Sequence, residues 1–146
     1  MATDHCSFTL HQKELGRQDF RKIPGGVPGL ETRGILLYNG VASGRISLAR
    51  YCQVLSENPA RLYGMYPQKG VLAPGSDADI VVLRPGVKGE IHAADLVQNV
   101  DNTPYENMAT AARIEQVYLR GTRAVDHGTI LVEKSGRYVF RKGRSL

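Results

Sequence analysis

The sequence predicts an α/β fold class, helices first and strands second, from three observations. Apolar residues recur at helical spacing between Leu30 and Gly64. Alternating and β-branched runs, bounded by Gly and Pro turns, begin near Val71. No internal repeat links the two halves. The 146 residues suffice for one ordinary domain or for part of something larger.

Residues 6–22 carry no sustained helical or strand period. Residues 23–30, IPGGVPGL, pack three Gly and two Pro into eight positions. Together they predict a loop of roughly twenty-five residues, a length usually tied to function or disorder. Leu30, Leu37, Tyr38 and Val41 then fall near one face of a first helix, which Gly34 weakens by about 1 kcal/mol relative to Ala. Leu48, Tyr51, Cys52 and Leu55 keep the i, i+3, i+4, i+7 spacing of a second, with Ser47 placed to cap it. Asn58 and Pro59 read as a cap and first-turn proline opening a short helix that Gly64 ends.

Pro74-Gly75 makes a turn, and residues 78–83 predict a strand bounded by Pro85-Gly86. Val117 and Leu119 before Gly121, with Ala124 and Val125 after it, predict a hairpin, and Ile130 and Val132 open another strand. Residues 93–97 and 108–113 read as short helical turns.

Composition narrows the class of function. No apolar run exceeds four residues, which excludes a membrane span. The opening MATDHCSFTL lacks the basic start and apolar stretch of a secretory signal. Two cysteines, Cys6 and Cys52, make no disulfide framework and read as small buried hydrophobes, so a cytoplasmic location is expected. The net charge of +5 comes from Lys134, Arg137, Arg141, Lys142 and Arg144 in an acid-free tail, the rest of the chain being balanced. With no aromatic platform beside it, this tail reads as a solvated terminus or a strap onto a partner subunit, and no nucleic-acid partner is expected.

Asp4, His5 and Cys6 form the densest group of acid/base or metal-binding side chains. A zinc site wants three or four ligands from spacings such as CxxC or HxxxH, and neither occurs. His11, His92 and His127 stand apart, each more often a surface or hydrogen-bonded structural residue than a ligand. There is no GxSxG, P-loop or GxGxxG. Residue chemistry alone stops at one acid ahead of a long loop.

The wording of that region goes further. Thr3-Asp4-His5-Cys6-Ser7-Phe8, Gln12-Lys13-Glu14-Leu15-Gly16 and Asp19-Phe20-Arg21-Lys22-Ile23-Pro24 closely resemble the dihydropyrimidinase and D-hydantoinase family of cyclic amidohydrolases. So do Ser56-Glu57-Asn58-Pro59-Ala60, Tyr66-Pro67-Gln68-Lys69-Gly70 and Gly75-Ser76-Asp77-Ala78-Asp79-Ile80-Val81-Val82, in the same order. The resemblance implies the C-terminal third of a longer enzyme: the end of a metal-dependent (β/α)8 barrel, then strands of a small β-sandwich. A complete barrel needs roughly 200 to 400 residues, so the chain holds only part of one. The implied division is residues 1–64 for the last barrel strand, active-site loop and terminal helices, 65–133 for sandwich strands, and 134–146 for the basic tail.

Asp4 would lie at the C-terminal end of the last barrel strand, where barrel active sites are built. In the family this aspartate ligates one of two zinc ions and carries a proton from the attacking hydroxide to the leaving amide nitrogen. Asp4 is thus expected to be both metal ligand and catalytic residue. The remaining ligands, a His-x-His pair, a carboxylated lysine and two histidines, together with an oxyanion-stabilising tyrosine, have no match here. The fragment alone is therefore expected neither to hold the two ions nor to act on substrate.

Where many members read Ile-Pro-Asn-Gly, with the asparagine main chain holding the substrate ring, this chain has Ile23-Pro24-Gly25-Gly26. Gly25 is thus a substrate-contact candidate through its main chain, or simply a flexible turn. The implied substrates are dihydropyrimidines or hydantoins opened to N-carbamoyl amino acids, and the implied assembly is a homo-dimer or tetramer. Two alternatives stand beside this: a non-catalytic dihydropyrimidinase-related scaffold, against which the retained Asp4 argues, and a small basic nucleic-acid-binding domain. Apolar positions such as Leu48, Cys52 and Leu55 are expected to lack cover within the chain.

Overall fold

The computed structural model describes residues 1–141; Lys142 and Arg144 of the basic tail lie outside the described residues. Four helices precede a four-stranded antiparallel sheet, so the predicted order of helices and then strands holds.

The first helix, α1 (Leu10–Lys13), interrupts the predicted loop. A reciprocal capping box makes it: the Thr9 hydroxyl accepts from the Gln12 amide at 3.2 Å, and the Gln12 side chain accepts from the Thr9 amide at 2.8 Å. α2 spans Arg33–Ala42 and α3 spans Leu48–Cys52, the latter capped by Ser47, whose hydroxyl accepts from the Arg50 amide. From α3 the chain passes through a widened π turn, Gln53–Glu57, into α4 (Asn58–Leu62) without leaving helical dihedrals. Asn58, at φ −62° and ψ −43°, is therefore inside a helix and not its cap. Pro59 has no N–H to offer the preceding turn, and the wider turn in front of it accommodates that loss.

The strands are β1 (Ile80–Ile91), β2 (Met108–Leu119), β3 (Thr122–Asp126) and β4 (Thr129–Ile130), in that spatial order. β1 does not stop at Pro85-Gly86. A register shift between Pro85 and Gly89 admits the proline at an irregular point of the ladder and lets pairing resume. Residues 108–113 are strand, not helical turn: Met108 pairs with Ile91, Ala109 with Glu90 and Thr110 with Gly89. Long-range pairing outweighs the helical leaning of an alanine-rich stretch. The predicted hairpin is present at Arg120-Gly121, both at positive φ, as the twist of a two-residue turn requires. Val132 falls outside β4, and within 93–97 only Ala93–Asp95 forms a 3-10 turn.

Polar side chains tie α2 to the sheet and brace the strand half internally. Asn39 on α2 donates to the Ala109 carbonyl at 2.7 Å and accepts from the Ala111 amide at 2.9 Å, satisfying main-chain groups of β2. Lys69 pairs with Asp77 at 2.8 Å and also with Asp79, whose other oxygen accepts from the Arg120 amide at 2.8 Å. The Lys69 ammonium holds the Asp77 carboxyl below its usual range. Glu115, buried in β2, is likewise held down by hydrogen bonds from Arg113 and Arg84. Gly70, at φ +87°, fits where a Cβ would lie 2.5 Å from that of buried Ala60, which locks the segment after α4 against the helix.

The buried apolar core is small, with Ala60, Ile91 and Ala112 in it. Of the helix positions expected to lack cover, Leu48 is more than half exposed and Cys52 is exposed, whereas Leu55 is half-buried; Leu62 on α4 is also more than half exposed.

Candidate active site

Asp4 stands where the chain enters the long loop. Its backbone adopts φ +50°, a left-handed conformation that Asp and Asn tolerate better than most residues, and its side chain is exposed. Immediately after it, His5 forms a parallel bridge with Val27, and the Cys6 amide donates to the Val27 carbonyl at 3.2 Å. The loop thus returns alongside the segment that carries Asp4. His5 Nδ1 accepts from the Gly29 and Leu30 amides at 3.1 and 3.2 Å, so His5 closes the loop by hydrogen bonding.

Two glycines sit on the returning limb of this loop, just before Val27, and they differ. Gly26 has φ +135°, and a Cβ there would collide with the Cys6 carbonyl oxygen. Gly25 lacks a positive φ, is exposed, and has nothing within 4 Å of the place a Cβ would occupy. The unusual backbone angle that glycine permits therefore lies at Gly26, while Gly25 faces open space. Cys6 and Cys52, expected to be buried, are both exposed. Cys6 borders the loop beside Gly26, and Cys52 lies on the uncovered helix face.

Several residues that the sequence left unremarked hold the loop in place. Lys13 donates to the carbonyls of Pro24 and Gly26 at 2.7 and 2.6 Å. Asp101 accepts from the Leu10 amide, which lowers its carboxyl below the usual range, and Asn102 donates to the Phe8 carbonyl at 2.9 Å. Glu31 accepts from the Val97 and Gln98 amides at 3.1 and 3.0 Å. Only the Thr9-x-x-Gln12 spacing of the capping box offered a local signal for any of this. The other partners lie 11 to 94 residues apart.

Among the described residues no three His, Cys, Asp or Glu side chains converge to hold a metal ion. A lone exposed carboxylate is one donor, short of the three or four that zinc takes from protein. Among the described residues, the donors present do not by themselves fit a metal centre. No helix among the described residues is long and apolar enough to cross a membrane.

Residues 1–124 match the Amidohydrolase family. This chain belongs to that family. The amidohydrolase chain is 41% identical over 145 residues to a D-phenylhydantoinase of Escherichia coli O1:K1 / APEC, covering 97% of itself and 32% of that protein. It is 45% identical over 126 residues to a D-hydantoinase of Streptomyces coelicolor, covering 86% of itself and 27% of that protein. The solved D-hydantoinase of Bacillus sp. AR9 superimposes with a TM-score of 0.93 at 42% identity, over 98% of this chain and 32% of that one. The chain thus spans about a third of the length of these relatives. The resemblance stated from its motifs is borne out at the level of the family.

Proposed function

We propose that this chain is the C-terminal part of a zinc-dependent cyclic amidohydrolase that hydrolyses the ring amide of dihydropyrimidines or hydantoins to N-carbamoyl amino acids. The observation that carries this reading is 41–45% identity to a D-phenylhydantoinase and a D-hydantoinase over most of the chain; Asp4 stands at the mouth of the loop, one residue before the His5–Val27 bridge. Residues 1–64 then complete a (β/α)8 barrel, residues 65–133 contribute to a β-sandwich, and residues 134–146 reach a neighbouring subunit of a dimer or tetramer. The uncovered apolar face along α3 and α4 is consistent with packing on barrel elements that this chain does not contain.

In hydrolysis of a cyclic amide, water adds to the ring carbonyl carbon, the C–N bond breaks, and a proton from the water ends on the departing nitrogen. Asp4 accepts that proton and delivers it, remaining unchanged over the cycle. The main chain at Gly25 orients the ring. Bound zinc would supply water activation and carbonyl polarisation; Asp4 would be one of its anchors, and the others would belong to residues outside this chain.

The test is ring opening by the full-length polypeptide that carries this chain, supplied with zinc and followed by chromatographic detection of the N-carbamoyl product. Product from dihydrouracil or hydantoin is expected. Absence of product from both rings, in a folded and zinc-loaded preparation, contradicts the reading.

A further inference from the structure

We propose that Lys13 is a positioning residue for substrate: its ammonium, bonded to the carbonyls on both sides of Gly25, fixes the main chain that meets the ring. This rests on the function proposed above, and it starts from how the lysine is held. Lys13 ends α1, a helix of four residues. That helix is itself anchored at its start, where the Leu10 amide donates to Asp101 and the Phe8 carbonyl accepts from Asn102. The side chain is half-buried, and its ammonium lies 5.4 Å from the centre of the Phe8 ring.

Among the described residues Lys13 makes no ion pair with a carboxylate. Two of its three N–H donors go instead to main-chain oxygens, Pro24 at 2.7 Å and Gly26 at 2.6 Å. These two bonds, to carbonyls two residues apart, hold the intervening main chain in one arrangement. The segment that Lys13 grips needs that. Two successive glycines have the widest backbone freedom of any dipeptide, and Gly25 has no neighbour within 4 Å on its open side to restrain it. The gripped carbonyls belong to the Pro24–Gly25 and Gly26–Val27 peptides, so the Gly25–Gly26 peptide is suspended between two fixed ones while the open side stays free for a ligand.

The experiment compares the parent, Lys13→Met and Lys13→Arg forms of the full-length, zinc-loaded polypeptide. Two readouts are taken: KM and kcat for ring opening, and the rate of trypsin cleavage after Arg21 or Lys22, next to the loop. Loss of one or two charge-assisted bonds corresponds to a change of about tenfold or more. Lys13→Met is therefore expected to raise KM about tenfold with a smaller change in kcat, and to speed cleavage at the loop by a similar factor. Lys13→Arg, which keeps a charged two-pronged donor, is expected to restore most of both.

A KM within about twofold of the parent, or unchanged cleavage at residues 21–22, overturns the proposal. So does a loss of kcat at constant KM with cleavage accelerated throughout the protein, because that is the mark of general destabilisation. A parent without ring-opening activity overturns the functional reading and the substrate half of this inference with it. Proteolysis of the loop still decides, on its own, whether Lys13 holds it.

Discussion

Asp4→Asn in the full-length, zinc-loaded polypeptide is expected to lower kcat/KM for ring opening by about a thousandfold or more while leaving the fold intact. A positioned acid/base group alone contributes about 10²–10⁴ in rate, and an anchor for a metal adds to that. Asparagine is the informative replacement because it matches aspartate in shape and tolerates the left-handed backbone found at this position, φ +50°. The bridge from His5 to Val27 and the bond from Cys6 to Val27 use backbone groups that the substitution does not touch. An unchanged thermal midpoint with activity lost is thus the expected pair of results, and activity within about tenfold of the parent assigns the proton transfer elsewhere.

Gly26→Ala is expected to cost about 2–4 kcal/mol of stability and most of the activity, whereas Gly25→Ala one residue earlier is expected to change stability by less than about 0.5 kcal/mol. The contrast follows from geometry. At Gly26 a side chain meets both a forbidden backbone angle, φ +135°, and the Cys6 carbonyl oxygen. Relief requires the loop to move away from the segment carrying Asp4, which breaks the Cys6–Val27 bond and the grip of Lys13 on the Gly26 carbonyl. At Gly25 there is open space and no positive φ. Calorimetry of the two variants checks the stability difference. Equal destabilisation by both would mean that the close approach of Gly26 to Cys6 does not organise the loop.

What was legible in the sequence was what local chemistry determines. Ser47 ahead of Leu48, Tyr51, Cys52 and Leu55 marked a capped helix, and Gly121 between alternating runs marked a hairpin, because caps and tight turns depend on a few adjacent residues. Residues 108–113 were misread since their strand exists only through partners on β1, 17 to 29 residues earlier in the chain. Asn58 was misread because a proline after a polar residue looks the same at a helix start and after a π turn, and only the preceding backbone separates the two cases.

The site divides in the same way. Asp4 and Gly25 came from motif resemblance, and the structure sets them at either end of one loop. The contacts that hold that loop were invisible, because a lysine bonded to carbonyls 11 and 13 residues ahead leaves no periodic trace. The closeness of Gly26 to Cys6 was hidden for the same reason: it arises where the chain folds back on itself.

Zinc content, measured by atomic absorption after exhaustive removal of loosely bound metal, compares the 146-residue chain with the full-length polypeptide that carries it. About two zinc ions per full-length polypeptide are expected, as a two-metal hydrolytic centre requires. Less than about 0.1 per short chain is expected, because a single carboxylate does not hold the ion. A short chain that retains zinc in whole-number stoichiometry and opens the ring would contradict the assignment of Asp4 as one anchor of a centre built largely from residues outside it.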